Sequence, residues 1–200
     1  MSEEKHNVGG EEQLKDQIKP RAPIWSRRPP ATLNPIRNLF ESSQRLIEPY
    51  VTKGQVVADL GCASGYYTFA LAQCVGPEGR VYAVDLDEKC IRAIEKKMDK
   101  EGYHNIEAHA SSASELGFIK DGSVNFVLAN GLLCSMANHR QDAVKEIKRI
   151  LKPDGLAYLS LGFPPPLGFV NRAEWEKILD GFRVERSGGF IQRWAMVSVK

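Results

Sequence analysis

The stretch VVADLGCASGYYTFALA, Val56 to Ala72, decides the architecture. Two valines and an alanine read as a strand that runs into Asp59. Gly61 and Gly65 follow, four apart, and then apolar residues recur at helical spacing from Tyr66 to about Cys74. Glycines at a strand-to-helix junction let the backbone turn sharply and come close to something that is not protein. In an open α/β sheet, ligands bind outside the carboxyl ends of strands, where the strand order reverses. The first such turn here is DLGCASG, so this is where a ligand is expected.

Working outward, the same alternation continues. RVYAVDL is a second strand, ending in Asp85. DEKCIRAIEKKMDKEG is an amphipathic helix with Cys90, Ile91, Ile94 and Met98 on one face and Gly102 as its stop. Residues 106–110 make a third strand and VNFVLAN a fourth. Residues 138–151 form a helix, KPDG at 152–155 a turn, LAYLSL a fifth strand, and residues 173–180 a last helix. FRVERSGGF and RWAMVSV have no helix between them and should pair antiparallel. Alternating strands and helices predict right-handed βαβ units. The fold class is therefore α/β: seven strands, mostly parallel, helices on both faces, an antiparallel C-terminal hairpin, and the last strand slotted beside the fifth.

Composition narrows the classes. The chain has 200 residues and a formal net charge of +2, which gives no general electrostatic case for nucleic acid or an anionic membrane. No apolar run reaches the ~18–20 residues that span a bilayer, and the polar, acidic N-terminus lacks a signal-peptide core. The expected compartment is the cytoplasm. Cys62, Cys74, Cys90 and Cys134 form no CxxC pair, so no metal site is expected and the thiols are read as packed side chains. Residues 1–19 carry five acids, three lysines and few apolar side chains, a composition of disorder. PRAPIWSRRPPATLNPIR, residues 20–37, carries five prolines, four arginines and no acid. It reads as a Pro-rich arm on the domain surface, with a lid that uses Trp25, Arg27 and Arg28 as the alternative. From Pro35 a helical pattern resumes through Ile36, Leu39, Phe40, Leu46 and Ile47. The expected organisation is thus tail and arm over 1–34 and one domain over 35–200.

At the crevice, Asp85 ends the second strand, where an acid accepts hydrogen bonds from both hydroxyls of a ribose. Asp87 is the better helix cap. A P-loop would need Gly-Lys-Ser/Thr, and this chain has Gly65-Tyr66-Tyr67-Thr68. GxGxxG is also unmet, so the loop suits a pyrophosphate poorly.

These segments, with ASSASELGF and IKRILKPDGLAYLSL, resemble in order the landmarks of class I S-adenosylmethionine-dependent methyltransferases of the small-molecule type. The resemblance covers about residues 49–200 and implies a Rossmann-like sheet and S-adenosyl-L-methionine as cofactor. By that resemblance, Asp59 would lie near the ammonium of the cofactor's methionine part. Gly61, Cys62, Ala63 and Gly65 would wrap that part and the sugar. Asp85 would hold the ribose, Leu86 would pack on the adenine, Ser112 and Ala113 would lie at the adenine edge, and Asn130 would mark the floor beneath the sulfonium. Ala63 stands where glycine is frequent in the family, Ser112 where aspartate is common, and Asn125 where aspartate is frequent, the last read as structural.

The implied reaction is in-line methyl transfer, in which alignment alone supplies on the order of 7–11 kcal/mol. A general base is needed only where the nucleophile holds its proton, so no catalytic residue is assigned. His104, His109 and His139 are the candidate bases, with His139 read first as a solvated residue at a helix start. Cys134, in the loop NGLLCSMANH, is read as packed. The arm and FPPPLGF, residues 163–169, are the segments that would choose the acceptor. Nucleic acid is disfavoured, since DPPY or NPPY, which by family resemblance would suggest amino-adenine methylation, is missing after the fourth strand. A small molecule is expected, since AEWEKILDGFRVERS resembles the endings of small-molecule members of the family. The alternatives are a methyltransferase of protein or RNA, a SAM-binding interaction protein without turnover, and a nicotinamide dehydrogenase. Asp85→Ala is expected to lose cofactor affinity with little loss of stability.

Overall fold

A computed structural model of the chain describes residues 46–161, 170–189 and 193–200. The arm, the helix predicted from Pro35 up to residue 45, and FPPPLGF lie outside the described residues. The elements run in the predicted order: β1 (Val56–Leu60), α1 (Tyr66–Val75), β2 (Arg80–Asp85), α2 (Glu88–Glu101), β3 (Ile106–Ala110), β4 (Val124–Asn130), α3 (Arg140–Ile150), β5 (Leu151–Ser160), α4 (Arg172–Leu179), β6 (Phe182–Gly188) and β7 (Trp194–Val199). They form one seven-stranded sheet in the order β3-β2-β1-β4-β5-β7-β6. The first five strands are parallel, and β7 lies antiparallel between β5 and β6.

Two-residue alternation splits each central strand between two apolar layers. From β1, Val57 faces one layer and Ala58 and Leu60 the other; in β4, Phe126 and Leu128 oppose Val127 and Ala129. The first layer is closed by Phe69, Leu71 and Val75 of α1 with Ile91 and Ile94 of α2. The second is closed by Val144, Ile147 and Ile150 of α3 with Trp175 and Ile178 of α4. Burial of each such Leu or Ile contributes about 1.5–3 kcal/mol, so the strands with apolar runs on both faces occupy the centre. The chain leaves β1 toward β2 on one side and re-enters at β4 on the other. That reversal opens the crevice at the carboxyl ends of β1 and β4.

One element departs from the sequence reading. KPDG is not a turn before β5 but a bulge inside it. Val124 pairs with Leu151 and Phe126 with Leu156, so residues 152–155 oppose Asn125 alone. Asn125 holds the bulge: its Oδ1 accepts from Val56 N–H and from Lys152 Nζ, both at 3.1 Å. The structural role read for this residue is the one observed. Among the described residues no helix is long and apolar enough to cross a membrane.

Candidate cofactor crevice

After Leu60 the backbone turns through three residues with positive φ: Gly61 at 75°, Ala63 at 56° and Gly65 at 84°. Ala63 is the one non-glycine with positive φ among the described residues. The N–H groups of Gly61 and Cys62 both donate to Val84 O, at 2.8 and 3.0 Å, which clamps the loop onto β2. Ala63 N–H donates to Asp85 Oδ2 at 2.9 Å, and Asp87 N–H donates to Asp85 Oδ1 at 3.0 Å. One carboxylate therefore ties the glycine loop to the entry of α2. Asp87 caps that helix through Lys89 N–H at 2.9 Å, as its position predicted.

The space each glycine leaves is filled by protein. A Cβ on Gly61 would lie 3.1 Å from Leu132 Cδ1, and one on Gly65 would lie 2.6 Å from Phe69 Cε2 and 3.1 Å from Ile94 Cγ1. The reading that these glycines admit a non-protein group changes accordingly. They are required by positive φ and by the approach of Leu132 and Phe69, and the loop they shape is what faces the crevice.

The remaining predicted residues sort by what their side chains touch. Asp59 is drawn inside, 3% exposed, where its Oδ2 accepts from Thr68 Oγ1 at 2.7 Å. Cys62 and Ala63 offer the crevice mainly backbone, for the Cys62 side chain is buried in the α1–α2 layer. Leu86 is the reverse: it stands 72% exposed beside Asp85, an apolar platform next to an acid. Ser112 Oγ bonds to Ser114 Oγ at 2.6 Å and accepts from Ser114 N–H. The Ala113 methyl is buried in the α3–α4 layer. Asn130 Nδ2 donates to the Tyr67 hydroxyl at 3.0 Å, and its Oδ1 accepts from Ser160 Oγ. The Asn130 amide is thus engaged on both sides.

Sequence reading missed Thr68, Tyr67 and Ser160. The signal was faint but present, since Tyr67 and Thr68 open α1 and Ser160 ends β5, all at the crevice end of the sheet. It also missed Arg140, which is buried with its Nε donating to Leu133 O at 2.7 Å and its Nη1 3.4 Å from Glu174 Oε1. That side chain fastens the loop after β4 to the capping box of α4, in which Asn171 and Glu174 bond reciprocally.

The candidate bases and thiol are ordinary. His139 is the exposed N-cap of α3, and its side chain makes no capping bond. His104 is exposed. His109 is stacked on Phe118 at 3.8 Å and bonded to Glu107. The Cys134 thiol donates to Gly131 O at 3.1 Å, and burial pushes its pKa up, which disfavours the thiolate. None of the four cysteines forms a disulfide.

Residues 57–155 match the sequence profile described as a methyltransferase domain. That span runs from β1 through the β5 bulge and holds every crevice residue discussed except Ser160, Asn171 and Glu174. It is a class I S-adenosylmethionine-dependent methyltransferase domain. A demethylmenaquinone methyltransferase from Geobacillus stearothermophilus is 33% identical over 120 residues, 60% of this chain and 50% of that protein. The chain thus spans about half the length of the curated relatives it matches. A SAM-dependent methyltransferase from Aquifex aeolicus superposes with a TM-score of 0.69 at 23% identity, covering 86% of this chain and all of the other. A putative rRNA methylase from Clostridium thermocellum gives 0.67 at 20%, covering 81% and 95%. Both structures carry the seven-stranded fold. The cofactor of the domain family is S-adenosylmethionine, and the crevice fits it chemically, with a carboxylate at the strand end, an exposed leucine beside it and a backbone-lined loop opposite.

Proposed function

We propose that the chain transfers the methyl group of S-adenosylmethionine to a small-molecule acceptor, and that the acceptor is of the quinone class. The observation that carries the reading is the 2.9 Å bond from Ala63 N–H to Asp85 Oδ2. It makes the glycine loop and the strand-end acid two walls of one crevice. Asp85 would take the ribose hydroxyls and Leu86 the adenine face. Ser112 and the Ala113 backbone would meet the adenine edge. Gly61 to Gly65 would enclose the methionine part above Asp59, with Asn130 as the floor.

The bound cofactor supplies a methyl group already activated on sulfur. The protein's share is alignment and exclusion of water. Arg140 holds the loop after β4 on the acceptor side, and Leu132 of that loop closes against Gly61. The acceptor gains the methyl group and releases a proton. The quinone class is supported by the name of the Geobacillus relative, by the partly exposed Leu132 of that loop, and by Phe163, Leu167 and Phe169 in the sequence. We assign the reaction to the cytoplasm, on four cysteines that form no disulfide.

Titration calorimetry with S-adenosylmethionine, S-adenosylhomocysteine and NAD tests the cofactor. Micromolar binding of the first two and none of NAD is expected, and absence of the first two overturns the reading. Transfer of labelled methyl to a reduced, short-chain demethylmenaquinone tests the acceptor. Cofactor binding without that transfer overturns only the quinone assignment.

A further inference from the structure

The connection from β3 to β4, residues 111–123, has no regular secondary structure, though a loop of that length inside a compact domain is unusual unless it serves a ligand. Its first half carries Ser112 and Ala113. Its second half is gripped by two side chains of α3. Glu146 Oε2 accepts Leu116 N–H at 2.9 Å. Arg149 donates to Leu116 O and Ile119 O, both at 2.8 Å, to Asp121 Oδ1 at 2.5 Å, and through Nε and Nη2 to the two Glu146 oxygens at 2.8 Å. The guanidinium thus uses its planar fork to satisfy backbone that no helix or strand would pair. The grip passes to the crevice through short links. Glu115 N–H bonds to Ser112 O at 2.9 Å, Ser111 Oγ to Glu115 O at 3.1 Å, and Ser111 N–H to Asp85 O at 3.1 Å. Leu116, Ile119 and Ala113 are buried in the same layer as Val144 and Ile147 of α3.

We propose that Glu146 and Arg149 are positioning residues that set the 112–113 edge of the cofactor crevice, and so its selectivity for the purine, without touching the cofactor. The proposal rests on the cofactor reading above. An ammonium in place of the guanidinium cannot reach Leu116 O, Ile119 O, Asp121 and Glu146 together, so lysine at 149 should not substitute.

The test compares binding of S-adenosylhomocysteine and S-inosylhomocysteine, which differ at the purine's exocyclic group, to wild type, Glu146→Gln, Arg149→Lys and the milder Asp121→Asn. Urea unfolding of each variant is measured alongside. Arg149→Lys and Glu146→Gln should weaken the adenosyl ligand about tenfold and the inosyl ligand much less, so the preference collapses; Asp121→Asn should do so partially. An unchanged preference in folded variants overturns the proposal, as does an equal loss for both ligands. Should Arg149→Lys fail to fold, the Asp121→Asn and Glu146→Gln preferences decide. Wild type that binds neither ligand refutes the cofactor reading, and the proposal with it.

Discussion

At Ala63 a side chain occupies left-handed backbone, φ 56°, that costs an L-residue roughly 1–2 kcal/mol. Glycine would relieve that strain but lose more chain entropy on folding, by roughly 0.5–1 kcal/mol. Ala63→Gly should therefore stabilise the fold by up to about 1 kcal/mol, read as a higher urea midpoint. Gly65→Ala should do the opposite. It adds the same kind of strain and drives a Cβ to 2.6 Å from a Phe69 ring that is buried and packed on Tyr103, so a loss of about 2 kcal/mol or more is expected in the same measurement. Asp85 needs a revision of its expected mutant phenotype. Its carboxylate accepts two backbone N–H bonds, so Asp85→Ala should cost about 1–2 kcal/mol of stability as well as cofactor affinity. Calorimetry with S-adenosylmethionine separates the two losses when run at a temperature where the variant is folded; unchanged binding there would remove Asp85 from the ribose site.

At the scale of elements, strands announce themselves by apolar runs and the caps by residue type, which is why β1, β3 and β4 fall at their predicted bounds and Asp87 caps α2. What escapes a linear reading is pairing at long range. KPDG has turn chemistry, and only its partner Asn125 across the sheet makes it a bulge within β5. Arg149 looks like one basic residue of a solvated helix face, and only the fold brings Leu116, Ile119 and Asp121 to it. The same holds in the crevice, where Asp59, Asp85 and the glycines stand out by type and place. Tyr67, Thr68 and Ser160 do not, because their function is to hold other side chains. The α3 grip has a pH signature. Arg149's hydrogen bonds hold the Glu146 carboxyl below the usual carboxylate range, against the opposing effect of burial, with the Leu116 N–H helping. A depressed folded pKa adds stability that is present above the unfolded value of about 4.3 and is lost as pH falls through the folded value. Glu146→Gln should therefore be less stable than wild type at pH 7, and the gap should close on acidification. Urea midpoints measured from pH 7 down to pH 3 check this; a gap independent of pH would show that the ion pair contributes nothing.

For the whole molecule, the crevice is a place where both apolar layers meet the loops. Cys62 belongs to the layer under α1 and α2, Ala113 and Leu133 to the layer under α3 and α4. A ligand seated between them would contact parts of the chain that belong to both layers. Such a ligand binds the folded state and not the unfolded chain, so its free energy adds to global stability as RT ln(1 + [L]/Kd), about 2.7 kcal/mol at a hundredfold excess over Kd. For a domain of this size each 1 kcal/mol moves the thermal midpoint by about 2–4 °C. S-adenosylmethionine or S-adenosylhomocysteine at that excess should therefore raise Tm by roughly 5–10 °C in a thermal melt. NAD should leave it unmoved, and Asp85→Ala should lose most of the shift. The concentration dependence decides between binding at a built site and weak solvent effects, because a site-bound ligand raises Tm logarithmically above its Kd. A midpoint that does not respond to either cofactor form would mean that the carboxylate, the exposed leucine and the glycine loop, though brought together by the fold, do not constitute a working nucleoside site.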